Sequence, residues 1–106
     1  MDKNELKSKY KSDFKALREF VNEFDPCGFI SIGTGPDEYD CLTQQLLSQI
    51  YENKSRQVMK DLILHEIEHH FGTPDISILE ETMKTEFYND LDKLLDRIEQ
   101  KFQHEL

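Results

Sequence analysis

Residues 55–80 read SRQVMKDLILHEIEHHFGTPDISILE, and the fold class turns on how this stretch is parsed. Ser55 stands where a helix N-cap is wanted. Val58, Met59, Leu62, Ile63, Ile67 and Phe71 then fall on one face of a helix, the spacing of an amphipathic segment packed against a core. Gly72 suits the left-handed position just past a helix end, and Pro74 prevents resumption. Ser77-Ile78-Leu79-Glu80 has the S-x-x-E form of a capping box and opens a further helix. The grammar is helix, stop, helix.

Working outward, the same period continues on both sides. Met83, Phe87, Leu91, Leu94, Leu95, Ile98 and Phe102 extend a stripe nearly to the C-terminus. Upstream, Tyr39, Leu42, Leu46 and Ile50, widened by Leu47 and Tyr51, form another, with Pro36 at a favoured first position and Asn53-Lys54 as the break. Leu6, Tyr10, Phe14, Leu17, Val21 and Phe24 make the first stripe, closed by Asp25-Pro26, because proline disfavours helical geometry in the residue before it. The reading is an all-α, compact single domain with helices over about 4–24, 36–52, 56–71 and 78–103, and no segment alternates with period two. The apolar, glycine-bearing loop at 25–35 carries Phe29, Ile30 and Ile32, which are expected to plug the core. It lacks the glycine spacing and lysine of a phosphate cradle, and the acids that follow it repel an anion.

Within the decisive stretch lies a second pattern, H-E-x-x-H-x-x-G-x-x-D: His65, Glu66, His69, Gly72 and Asp75. Two histidines at i and i+4 share a helical face and can bind one zinc, while the intervening glutamate serves a metal-bound water as general base. In the long form the glycine lets the chain turn so that a third ligand, here Asp75, returns to the metal. Helix grammar accounts for two of these five letters independently, since glycine after a helix end and aspartate in a turn are ordinary, and half the motif's apparent specificity goes with them. On a helical wheel, Glu66 and His70 fall inside the apolar face, and His65 and His69 sit at its border. The favoured reading assigns no metal and no catalytic residue. The alternative is a zinc-dependent hydrolase with His65, His69 and Asp75 as ligands and Glu66 as base.

Composition bounds the function classes. The 106 residues carry a formal net charge of −9, which argues against nucleic acid as a partner. The charge is uneven: residues 1–18 hold six Lys or Arg against three acids, a balance of +3, which leaves −12 for the remainder of a chain at −9. An acidic body of this kind steers basic partners. The first residues lack the apolar core of a secretory leader, and no apolar run approaches the ~20 residues of a membrane span. Cys27 and Cys41 show no pairing pattern, so two thiols in a reducing cytoplasm are expected. Asp37, Glu38, Tyr39 and Asp40 are a candidate partner-binding element, three acids around an aromatic anchor. Their structural alternative is that Asp37 and Glu38 complement a helix dipole while Tyr39 packs inward.

Phe24-Asp25-Pro26, Gly28, Pro36-Asp37-Glu38-Tyr39-Asp40 and Phe71-Gly72 occur in an order and spacing that resembles the YugE-like family of small bacterial domains of unknown function, over about residues 20–72. The resemblance implies a compact helical fold, no assigned activity, and immunity or accessory roles beside bacterial toxins. The expectation is thus a bacterial, cytoplasmic, non-catalytic binding or accessory module without cofactor, contacting another protein or a second copy of itself through acidic surface.

Overall fold

The computed structural model describes residues 3–28, 30, 32–35, 37–72 and 76–103. Four helices carry the chain: α1 (Lys3–Phe24), α2 (Asp40–Tyr51), α3 (Arg56–Glu66) and α4 (Glu81–Ile98). Each of α3 and α4 runs on into a wide π-helical turn, Ile67–Phe71 and Glu99–Gln103, and a 3-10 turn at Ile76–Ile78 precedes α4. No strand occurs among the described residues. The all-α fold expected from periodicity is the fold observed.

Successive helices pack against each other and α4 returns to α1. Contacts at their ends make neighbours antiparallel. Asp25, at the end of α1, is bonded to Tyr39 at the start of α2, whereas Asp13 and Tyr10 in α1 meet Tyr51 at the end of α2. Arg56, opening α3, pairs with Asp96 and Glu99 near the end of α4. The starts of α2 and α4 and the end of α3 therefore share one end of the bundle, while the start of α1 lies at the other.

The core is the inner stripe of each helix: Leu17 and Val21 from α1, Leu42, Leu46, Leu47 and Ile50 from α2, Met59, Ile63 and Ile67 from α3 and its turn, and Phe87, Leu91, Leu94, Leu95 and Ile98 from α4. Phe24 and Phe87 meet with centroids 5.6 Å apart. Burying a leucine-sized side chain contributes ~1.5–3 kcal/mol, so these positions dominate the stability of the bundle.

Several details depart from the sequence reading. Helix α2 begins at Asp40 rather than at Pro36; Pro36 itself lies outside the described residues, and Asp37–Tyr39 form a turn closed by the Asp40 N–H to Asp37 carbonyl bond of 3.1 Å. The Tyr39 side chain is drawn inward and holds its backbone at φ −102°, ψ 11°, which is not helical. The fourth helix starts later than the S-x-x-E pattern suggests. Ser77 sits within the 3-10 turn, and Glu80 takes the N-cap position at φ −62°, ψ 153°. Ser55, in contrast, caps α3 as expected, its hydroxyl accepting from the Val58 N–H at 3.2 Å.

Five stripe residues are exposed instead of buried, Tyr51 at the end of α2 among them. Leu6 lies in the first turn of α1, Tyr10 a turn further on beside Tyr51, Val58 in the first turn of α3, and Met83 in the first turn of α4. Leu6, Val58 and Met83 thus sit near helix starts, at the margin of the packed faces. In the loop, Ile30 packs on the core but Ile32 points to solvent. Phe29 lies outside the described residues.

Candidate functional site

The DP and DEYD elements meet in space. Tyr39 is fully buried, and its hydroxyl donates to an Asp25 carboxylate oxygen at 2.6 Å while accepting from the Cys27 N–H at 2.9 Å. The same Asp25 oxygen accepts from the Ile30 N–H at 3.0 Å. Asp25 adopts φ +43°, a left-handed conformation that aspartate tolerates better than most residues, and it terminates α1 there. Asp40 forms a two-pronged ion pair with Arg18 of α1, at 2.9 and 3.0 Å. Planar guanidinium and carboxylate match in this geometry, which fixes the α1–α2 crossing.

This arrangement redistributes the candidate partner-binding residues. Tyr39 is unavailable as a surface anchor because its ring is in the core, edge-on to Phe71 at 5.5 Å. Asp40 is half-buried and engaged by Arg18. Only Asp37 and Glu38 stand exposed, ahead of the α2 N-terminus. They share the upper end of the bundle with exposed Glu68, Glu80 and Glu81, so acidic groups gather where α2 and α4 begin and α3 ends.

The histidine turn occupies that same end. His65 and His69 are exposed, with ring centroids 4.4 Å apart, as the i, i+4 spacing requires. Asp75, the third ligand of the zinc-hydrolase reading, lies outside the described residues. Glu66, the candidate general base, is turned into the protein: its side chain is 13% exposed, and a carboxylate oxygen lies 2.9 Å from His70 Nδ1. The helical-wheel position of Glu66 on the apolar face anticipated this placement. His69 Nε2 approaches Glu68 at 3.7 Å.

Beyond Glu66 the helix widens. The Gly72 N–H donates to the Ile67 carbonyl at 2.9 Å, a bond that spans five residues, and Gly72 closes the turn at φ +70°. Phe71 packs on the core and against Tyr39, while His70 stacks on Phe71 with centroids 4.7 Å apart. π turns of this kind are frequent at functional positions.

Cys41, in the first turn of α2, faces this widened turn. One donor atom from each of Cys41, Glu66 and His70 lies within 4.8 Å of the others. Gln45 Nε2 approaches the Cys41 sulfur at 3.7 Å. Sequence alone presents Cys41 as a reduced thiol, and no periodicity links it to residues on another helix. The one available signal was the inward wheel position of Glu66 and His70.

Cys27 differs from Cys41. It is half-buried in the loop, and burial pushes its thiol up to about 11, with Asp25 adding to the rise and the Tyr39 hydroxyl opposing it. The two cysteines are not joined in a disulfide.

At the opposite end, every residue from Lys3 to Ser12 in α1 is exposed. Leu6 and Tyr10 present an apolar stripe there, 56% and 43% exposed, between Lys3, Lys7 and Lys11. Tyr51 at the end of α2 extends the stripe, its ring 6.5 Å from that of Tyr10 and its hydroxyl donating to Asp13 at 2.7 Å. A groove lined by Lys9, Asp13, Ile50, Tyr51 and Phe102 runs beside it. Among the described residues, no helix is long and apolar enough to cross a membrane. No protein-family model matches the chain, and neither the curated proteins nor the solved structures include a significant match to it.

Proposed function

We propose that the chain is a non-catalytic protein-binding module of the bacterial cytoplasm, with the accessory role that its resemblance to the YugE-like family implies, and that its first ligand is a second copy of itself. The observation that carries this is the uncovered, basic, apolar-striped first half of α1. An amphipathic helix face left without a partner marks an interaction surface. Its charge complements the acidic end formed by Asp37, Glu38, Glu68, Glu80 and Glu81, at the far end of a molecule 49 Å long.

An antiparallel two-fold pair lets each α1 lie over the other copy's acidic end, so both contacts form at once and the assembly closes. Leu6 and Tyr10 supply the buried centre, and the lysines and acids supply the rim and the register. Asp37 and Glu38 thus keep the partner-binding role read from the sequence, while Tyr39 and Asp40 support them from within.

Sedimentation velocity at low ionic strength tests the proposal. The wild-type chain is expected to form a dimer that dissociates as salt rises, because the charges across such a contact are solvent-exposed and screened. Leu6→Asp, and separately the double variant Asp37→Lys/Glu38→Lys, are expected to be monomeric with unchanged helical circular dichroism. A wild-type chain that stays monomeric at low salt and high concentration overturns the proposal, as does a dimer indifferent to both variants.

A further inference from the structure

We propose that Cys41, Glu66 and His70 form a three-ligand site for a zinc-class divalent cation, distinct from the His65/His69/Asp75 arrangement of the sequence motif. The donor set is one thiol, one carboxylate and one imidazole, a mixture that suits borderline-soft cations rather than calcium or magnesium, which take oxygen. The three come from two helices that pack together, so the site is set by the fold and not by one helix's periodicity.

The geometry is close to what a metal needs. Tetrahedral zinc with bonds of about 2.0–2.3 Å holds its ligand atoms roughly 3.2–3.8 Å apart. Donor atoms already within 4.8 Å of one another reach that spacing by small side-chain rotations. Glu66 is nearly buried and thereby fixed, whereas Cys41 and His70 are exposed enough to admit the ion from solvent. The π turn after Glu66 sets the relation between Glu66 and His70, and the stacking of His70 on Phe71 restrains its ring. Gln45, bonded to the Cys41 sulfur, is placed to support the thiolate from outside the ligand set.

Binding exchanges the Glu66–His70 contact for two bonds to the metal. The Cys41 thiol proton is released to solvent, since the thiolate is the ligand. Neutral His70 contributes a ring-nitrogen lone pair. Three protein ligands leave the fourth tetrahedral position to water. This inference is independent of the pairing proposed above, because neither Leu6 nor the charge of Asp37 and Glu38 is a ligand.

Cobalt(II) titration of the untagged, reduced 106-residue chain tests it, since a cobalt–thiolate bond gives a near-ultraviolet charge-transfer band. The wild type is expected to develop this band to one equivalent, with visible transitions of tetrahedral intensity that zinc then bleaches. Cys41→Ser, at an exposed position that does not threaten folding, is expected to abolish the band. Glu66→Gln and His70→Gln are expected to weaken cobalt binding by at least about tenfold. His65→Gln/His69→Gln is expected to leave it unchanged. Absence of the band in the wild type at excess cobalt overturns the site. So does a band that survives Cys41→Ser, or one lost with His65 and His69 but kept in His70→Gln.

Discussion

Tyr39 joins three parts of the chain through one oxygen, receiving the Cys27 amide and donating to Asp25, which in turn receives the Ile30 amide. Because the ring is fully buried, water has no access to compensate for a lost partner. Tyr39→Phe is therefore expected to cost about 1–3 kcal/mol, the range for leaving buried polar groups unmatched, measured as a lower urea midpoint with an unchanged slope. If Tyr39→Phe is neutral, this network is not what holds the loop to the bundle. The neighbouring Cys27 thiol is raised to about 11, so its native state retains the proton where an unfolded thiol near 9.0 loses it. The resulting contribution to stability is present below about 9.0 and declines as pH rises through about 11. Alkylation of the native protein at mildly alkaline pH should therefore modify Cys41 first. The Cys27 rate should climb with pH until about 11, and equal rates for the two thiols at lower pH would contradict the burial argument.

At the scale of elements, helix ends separate what sequence discloses from what it does not. Gly72 and Asn53 were legible as stops, and both adopt left-handed conformations, at φ +70° and +58°. A Cβ at position 72 meets nothing within 4 Å, so Gly72→Ala is expected to cost only the backbone term, about 1–2 kcal/mol by thermal or urea melting, and Gly72→Asn less. A much larger loss would mean that the wide turn itself, and not just its closing residue, depends on glycine. The capping box at Ser77–Glu80 was legible too, yet a 3-10 turn consumed its first residues and moved the helix start by one turn. Local pattern states that a start is near; which residue fills it depends on where the preceding chain is tied. The π turn at Ile67–Phe71 left no trace in periodicity, since its stripe residues, Ile67 and Phe71, are spaced by four as in any helix. Within the candidate site, the inward face of Glu66 was readable from the wheel. Its neighbour Cys41 was not, because a contact between helices has no sequence period.

Across the whole molecule, the charge asymmetry visible in the first 18 residues becomes a spatial one. The basic half of α1 lies at one end of the bundle, with exposed Glu52 and the Arg56-paired Asp96 nearby, and exposed Asp37, Glu38, Glu68, Glu80 and Glu81 lie at the other end. Net charge tells of acidity, but only the antiparallel order of the helices places these five acids away from the lysines that open α1. The proposed self-pairing draws on these charges, so its strength is expected to fall steeply with ionic strength, with an apolar contact at Leu6 and Tyr10 as its specific centre. Amide shifts followed by heteronuclear NMR through a dilution series at low salt give the most direct view of it. Resonances of Lys3 to Ser12 and of Asp37, Glu38, Glu68, Glu80 and Glu81 are predicted to move together as concentration rises, with the core of α2 and α3 unaffected. A spectrum invariant with concentration, or movements confined to other surfaces, would contradict the account.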